Sequence, residues 1–329
     1  SSHSVPVRTN QDRKMRVLTF SNGILVLAWS KGMAATCNGG SIMPRFYPFD
    51  GPSAPKTLIS DHFVTVGDDK VPMYLPYNQF QGFLDKIDNG DGTYDYAQLE
   101  SFEYVDERNV DEAGDAIPVR GFKALYSLLK EVQKWPEPAI VFYNMWMVGM
   151  ALLPNVSAVR ALTILYGRSK AGKTALLEAI ISFFGSDVCT ITMPPDPTFM
   201  GQELYDKSNA AFLYTPDTPP VSGLPTTMVY NIIDRSTTGI DVPKRNLGNV
   251  TVHLKANWWW GGNCIPDCIK NNTQGGSQVP GWRRSCIFPF RNSAQQEGGG
   301  KKALEMAMNM GSALCLGLHE YYRPVHYKH

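Results

Sequence analysis

Gly167-Arg168-Ser169-Lys170-Ala171-Gly172-Lys173-Thr174 fits the phosphate-loop pattern G-x-x-x-x-G-K-[ST] at every fixed position. Its flanks fit as well. Ala161 to Tyr166 is a short apolar run of strand-forming residues, and Ala175 to Ile181 reads as a helix. Strand, glycine loop and helix together turn a string match into a site. The glycines let backbone N–H groups curl around phosphate oxygens, and the helix N-terminus adds its partial positive charge. In such a site all eight residues of the loop are candidate nucleotide contacts. Lys173 would reach the β- and γ-phosphates of ATP, and Thr174 would bind Mg²⁺.

Outward from this loop the chain alternates strand and helix, which predicts an α/β domain with a mainly parallel sheet over 159–329, closed by a C-terminal helix from Ala303 to about Tyr322. Residues 118–158 read as a helical subdomain. Phe122, Leu125, Leu128, Leu129 and Val132 recur at three- and four-residue spacing until Trp135-Pro136 ends the helix, and a more apolar helix follows. This pair could form a collar or simply a packing subdomain. Residues 1–117 look β-rich, with strands expected at Val17–Phe20, Gly23–Leu27 and Phe63–Val66 and a tight turn at Ser21-Asn22-Gly23. Asp85 to Tyr96 invites a calcium-loop reading but puts Ile87 and Tyr96 at ligand positions, so a turn built on Asn-Gly and Asp-Gly is expected instead.

Composition narrows the field. The 329 residues carry 31 basic and 30 acidic side chains, a net charge of +1. No basic tail is present, so any nucleic-acid contact must come from a few locally placed cations. Six scattered cysteines are too few for a disulfide scaffold, and Cys264 with Cys268, the one close pair, lacks a second pair for zinc. The most apolar window, Ala139–Leu153, is too short to span a bilayer and contains Asn144. A cytoplasmic protein without a membrane partner is expected. Because the chain begins Ser1-Ser2-His3-Ser4, it reads as a piece of a longer polypeptide.

Beyond the phosphate loop, Ala210 to Thr215 reads as a second strand, and Asp217 follows where the chain would leave the sheet. An acid there can hold Mg²⁺, directly or through water; the alternative is a turn made by Thr215-Pro216-Asp217-Thr218-Pro219. Val250–Ala256 reads as a third strand ending in Asn257, whose side chain could touch the γ-phosphate and the attacking water. Trp258-Trp259-Trp260 could stack nucleobases or fill an apolar gap. Arg283-Arg284 precedes a last apolar strand, and arginine's planar fork suits transition-state stabilisation on a phosphate.

In this order the pieces resemble a superfamily 3 helicase, most closely the primase-helicases of large DNA viruses, phages and plasmids. The matching segments are GRSKAGKT, FLYTPD, STTGIDVPKR, VTVHLKAN and WRRSCIFPF, covering about 159–292. The resemblance implies a P-loop, AAA+-like ATPase and a homo-oligomeric, hexameric ring driven by ATP and Mg²⁺ along single-stranded DNA, in viral or phage replication within the host cytoplasm. It implies Lys173 and Thr174 at the phosphates, Asp217 as the second-motif acid, Asn257 as the sensor and Arg283 or Arg284 as the arginine finger. Lys244 and Arg245 fall where a hairpin should present cations to DNA. The chain departs from the pattern in having a single acid at Asp217 and a long insert from Trp258 to Pro280. No primase or polymerase site is evident; such a part is expected on a preceding segment. Two other classes fit the same loop: a protein-remodelling ring ATPase, and a nucleotide-dependent loader or scaffold with slow turnover.

Overall fold

A computed structural model describes residues 15–20, 22–30, 41–48, 64–66, 69–71, 77–91, 93–152, 161–181, 188–210, 212–234, 239–246, 248–254, 256–270, 285–293 and 299–322. The chain divides into two compact units, Asn155–Gln295 and the flanking Ser1–Pro154 with Gln296–His329.

The flanking unit opens with an antiparallel sheet of β1 (Met15–Phe20), β2 (Gly23–Ser30) and β3 (Ser41–Pro48). Phe20 pairs with Gly23, leaving the expected two-residue turn between β1 and β2. A ribbon of β4 (Val64–Val66) and β5 (Asp69–Val71) follows. Two helices then appear inside the stretch expected to be β-rich, α1 (Tyr77–Ile87) and α2 (Tyr96–Ser101). Phe80, Leu84 and Ile87 are buried at helical spacing along α1, a period the sequence reading overlooked. The Asp-Asn-Gly segment after α1 closes as a turn: Asp88 Oδ1 accepts from Gly90 N at 2.8 Å, and Asn89 N donates to Thr93 O at 3.0 Å. The hairpin β6 (Glu103–Val110) and β7 (Ala116–Arg120) leads to α3 (Lys123–Tyr126), continued as a π-helix over Ser127–Val132. Next comes α4 (Glu137–Met147), continued as a π-helix over Val148–Leu152.

The other unit holds the phosphate loop. Its elements run β8 (Leu162–Gly167), α5 (Lys173–Ile181), β9 (Val188–Thr190), α6 (Pro197–Asp206), β10 (Phe212–Thr215), α7 (Thr226–Asp234), β11 (Ile240–Lys244), β12 (Gly248–Val252), β13 (Asn257–Gly262), α8 (Asp267–Lys270) and β14 (Ser285–Phe290). Five of these strands form one parallel sheet in the order β14-β8-β13-β10-β9. This is an α/β fold of the P-loop ATPase type. From β8 the chain proceeds to the far edge at β9; from β13 it proceeds past β8 to β14. The two paths diverge between β8 and β13, and the carboxyl ends of strands at such a switch point form a ligand-binding crevice.

The third strand of the sheet differs from the sequence expectation. Val250–Val252 belongs to β12, which pairs antiparallel with β11 in a hairpin outside the main sheet. The sheet strand is β13, made by the tryptophans themselves. The physical reason lies in exposure. Thr251 on β12 faces solvent, as the alternation of a half-exposed hairpin requires, whereas every residue of β13 is buried, as a central parallel strand requires. Trp258 and Trp260 share one face, their ring centroids 5.2 Å apart and nearly perpendicular, while Trp259 turns to the other face against Phe212 at 6.1 Å. Trp258 Nε1 donates to Thr215 Oγ1 at 3.0 Å. With exposures of 5%, 0% and 1%, the three rings fill the interior and are not surfaces for nucleobases.

The last helix, α9 (Gly299–Tyr322), completes the flanking unit. The sequence expectation placed it with the motor domain. Instead Met310, Ala313, Leu314 and Leu316 are fully buried on it, and Gly317 packs so tightly on α4 that a Cβ there would meet Asn144 O at 2.4 Å. Asn309 Oδ1 accepts from Ala124 N and Leu125 N at 2.7 and 3.2 Å, satisfying two N–H groups at the start of α3. An apolar helix pattern shows that a helix is buried, not in which core. Among the described residues, no helix is long and apolar enough to cross a membrane.

Candidate functional site

Two glycines shape the loop between β8 and α5. Gly167 has φ 152° and lies so close to β14 that a Cβ would sit 1.8 Å from Phe290 O. Gly172 turns the chain into α5 with φ 92°. Arg168 N donates to Phe290 O at 3.1 Å, tying the loop to the neighbouring strand. The side chains of Arg168, Ser169 and Lys170 are exposed, Ala171 is buried beneath them, and Thr174 is exposed in the first turn of α5. The loop thus precedes the N-terminus of α5, where a helix favours an anion, with Thr174 in its first turn.

Lys173 is only 6% exposed. Its ammonium donates to Gly167 O at 2.8 Å, Arg168 O at 2.6 Å and Asn263 Oδ1 at 3.1 Å. All three donors of the group are engaged. Burial pushes its pKa below the ordinary lysine value, and the negative charge of Asp217 opposes that shift. Lys173, Asp217 and Asn263 therefore converge on the crevice from three adjacent elements.

Asp217 is exposed just past the end of β10. Its neighbour Thr218 holds this tip to β13, through Thr218 N at 2.7 Å and Thr218 Oγ1 at 2.8 Å, both to Gly261 O. Cys264 Sγ donates to Thr218 O at 3.5 Å from the other side. These bonds fix the spacing between the carboxylate of β10 and the amide that follows β13. Cys264 and Cys268 are both free thiols, and burial pushes Cys268 up to about 11. Among the described residues, no group of three or more His, Cys, Asp or Glu is placed to hold a metal ion. Thr174 and Asp217 suit Mg²⁺ nonetheless, because Mg²⁺ takes one or two protein oxygens and completes its shell with phosphate and water.

Asn257 stands elsewhere. It is the first residue of β13, level with Phe212, and buried. The crevice lies past Gly262, which pairs with Tyr166. Five residues of strand, roughly 16 Å, separate the two ends. Asn263, just past the carboxyl end of the same strand, is the asparagine that lies beside Lys173. The sequence expectation made Asn257 the tip of a strand ending at Ala256; in the structure it begins the next strand. Arg291 was not singled out in the sequence. It is exposed immediately after Phe290, which pairs with Gly167. A cation directly after a parallel strand's last residue was its only signal in the sequence.

Lys244 and Arg245 are where a hairpin reading puts them. Lys244 pairs with Gly248 at the end of β11, and Arg245 is exposed in the turn. Arg283 and Arg284 lie outside the described residues. Ser285, which follows them, pairs with Leu162 at the end of the sheet remote from the phosphate loop.

No family model matches the chain, and no curated protein matches it in sequence. Solved structures do resemble it. An A form apo structure of the NrS-1 C terminal region is 11% identical over 93% of this chain and 66% of that one, with a TM-score of 0.40. Another apo structure of that region, residues 305–718, is 13% identical over 59% of this chain and 44% of that one, with a TM-score of 0.39. A JCV Helicase structure is 13% identical over 61% of this chain and 53% of that one, with a TM-score of 0.36. At these TM-scores the likeness fixes neither family nor activity, which leaves the residues of the crevice to decide.

The two asparagines offer a direct test. Asn263→Ala should lower ATP turnover about 10²-fold, the scale of removing one polar group that faces developing charge. Asn257→Ala should leave turnover per folded molecule within a few-fold of wild type, although it can lower thermal stability. Steady-state phosphate release, normalised to folded protein, reads both. The reverse pattern would support Asn257 as the sensor.

Proposed function

We propose that the Asn155–Gln295 unit is the motor of an ATP-dependent DNA helicase of the superfamily 3 type, working as a homo-oligomeric, hexameric ring on single-stranded DNA. The observation that carries the reading is the convergence of Lys173, Asp217 and Asn263 beside a glycine loop at the switch point of a parallel sheet. This arrangement suits phosphoryl transfer, where catalysis is mostly positioning and charge stabilisation. The Lys173 ammonium exchanges its carbonyl partners for β/γ-phosphate oxygens. The loop N–H groups and Arg291 add positive potential at the same edge. Mg²⁺ held by Thr174 and Asp217 would neutralise charge on the transferring group. Asn263, which accepts from the Lys173 ammonium, orients the attacking water. Arg283 or Arg284 serves as a finger to a neighbouring copy's site. A primase or polymerase, fused or associated, is the expected partner, and viral or phage replication in the host cytoplasm the setting.

The hairpin supplies the polymer-binding cations. Lys244→Ala combined with Arg245→Ala should weaken oligo-dT binding and flatten its salt dependence, by roughly 0.7 in log–log slope for each DNA phosphate that the variant no longer neutralises. Fluorescence anisotropy across a KCl series measures this. An unchanged slope would remove DNA from the hairpin and favour the protein-remodelling reading.

The single acid at the tip of β10 favours one second reading, a loader that binds ATP and turns it over slowly. A turnover that stays slow with DNA present would support it.

A further inference from the structure

Lys244 is held in an unusual way for a surface lysine. Its Nζ sits 3.2 Å from the centroid of the Tyr205 ring, near the C-terminal end of α6. Three carboxylates lie on the same two elements, and each is engaged elsewhere. Glu203 pairs with Lys207. Asp206 accepts from Gln202 Nε2 at 2.7 Å through both oxygens. Asp241 accepts from Thr251 Oγ1 at 2.6 Å. A carboxylate partner would cancel the charge of Lys244. A ring fixes the ammonium's place and leaves its full charge. Lysine's flexible stem would otherwise spread that charge over many conformers.

The helix carrying the ring is itself fixed at three points. Asp196 Oδ1 caps its start, accepting from Thr198 N at 2.8 Å and Phe199 N at 3.2 Å. Gly201 meets β11 so closely that a Cβ would stand 2.0 Å from Pro243 O. Lys207 Nζ donates to Thr190 O, the last residue of β9, at 2.6 Å. Tyr205 thus stands on a helix tied to both the sheet and the hairpin, and the residue is 40% exposed.

We propose that Tyr205 is a positioning residue that holds the Lys244 ammonium in place and presents it to a phosphate of single-stranded DNA. This rests on the reading of the hairpin as the DNA-binding element. A DNA phosphate takes the outward side of the ammonium while the ring keeps the other, so Tyr205 acts through Lys244.

The test is oligo-dT binding by anisotropy across a KCl series, with wild type, Tyr205→Phe, Tyr205→Leu, Lys244→Met and the double variant Tyr205→Leu/Lys244→Met, each checked for folding by circular dichroism. Tyr205→Leu should weaken binding roughly two- to fivefold and lower the log–log salt slope by up to about 0.7. Tyr205→Phe should bind as wild type, because it keeps the ring. The double variant should match Lys244→Met alone. Effects of Tyr205→Leu and Lys244→Met that multiply, a slope unmoved by Tyr205→Leu, or a Phe variant as weak as Leu would each overturn the proposal while the hairpin reading stands. Absence of salt-dependent DNA binding by the wild type would overturn both.

Discussion

Lys173→Ala is expected to lower ATP turnover by about 10²-fold or more while the fold persists. Its ammonium touches the loop backbone and the tip of β13 together, through Gly167 O, Arg168 O and Asn263 Oδ1. Removing it takes away charge stabilisation where negative charge moves during phosphoryl transfer. The fold should survive because the side chain does not bridge core groups. Its partners lie at the rim of the sheet, where Arg168 and Asn263 are exposed. Phosphate release with saturating Mg-ATP, alongside circular dichroism, measures both halves of the expectation. A folded variant with wild-type turnover would remove the phosphate-loop reading.

The larger effect is expected at the arginine pair. Either Arg283→Ala or Arg284→Ala should cost roughly 10³-fold in turnover while ATP still binds, the scale of removing an arginine finger. Arg283 is our choice for the finger, with Arg284 as a second phosphate contact. Two consequences follow for assembly. Specific activity of the wild type should rise with protein concentration until rings form. Mixing the finger variant with Lys173→Ala should restore part of the activity, because a mixed ring can contain one intact interface. Concentration-independent activity with no rescue would mean that each chain completes its own site.

Much of the Asn155–Gln295 unit was legible in the sequence because its signals are local. GRSKAGKT fixes a loop, a strand before it and a helix after it, and β8 and α5 follow. Asp217 was legible because Thr215-Pro216-Asp217 ends a short apolar strand. What failed was pairing. Val250-Thr251-Val252 was expected to be the sheet strand, and only burial on both faces shows that the tryptophans form it instead. That single confusion shifted the strand tip from Asn263 to Asn257. In the flanking unit, α1 was hidden behind the Asp-Asn-Gly turn that follows it. The home of α9 was illegible for a different reason: its buried face is complementary to α4 and α3, and complementarity between distant segments leaves no periodic trace.

Phosphate release from Mg-ATP by the wild-type chain, with and without oligo-dT and with Lys173→Ala as the control, tests the central claim most directly. A DNA-driven motor should hydrolyse ATP in a Mg²⁺-dependent way, turn over faster when single-stranded DNA is added, and lose that activity in the Lys173 variant. Hydrolysis indifferent to oligo-dT, or retained in Lys173→Ala, would contradict it.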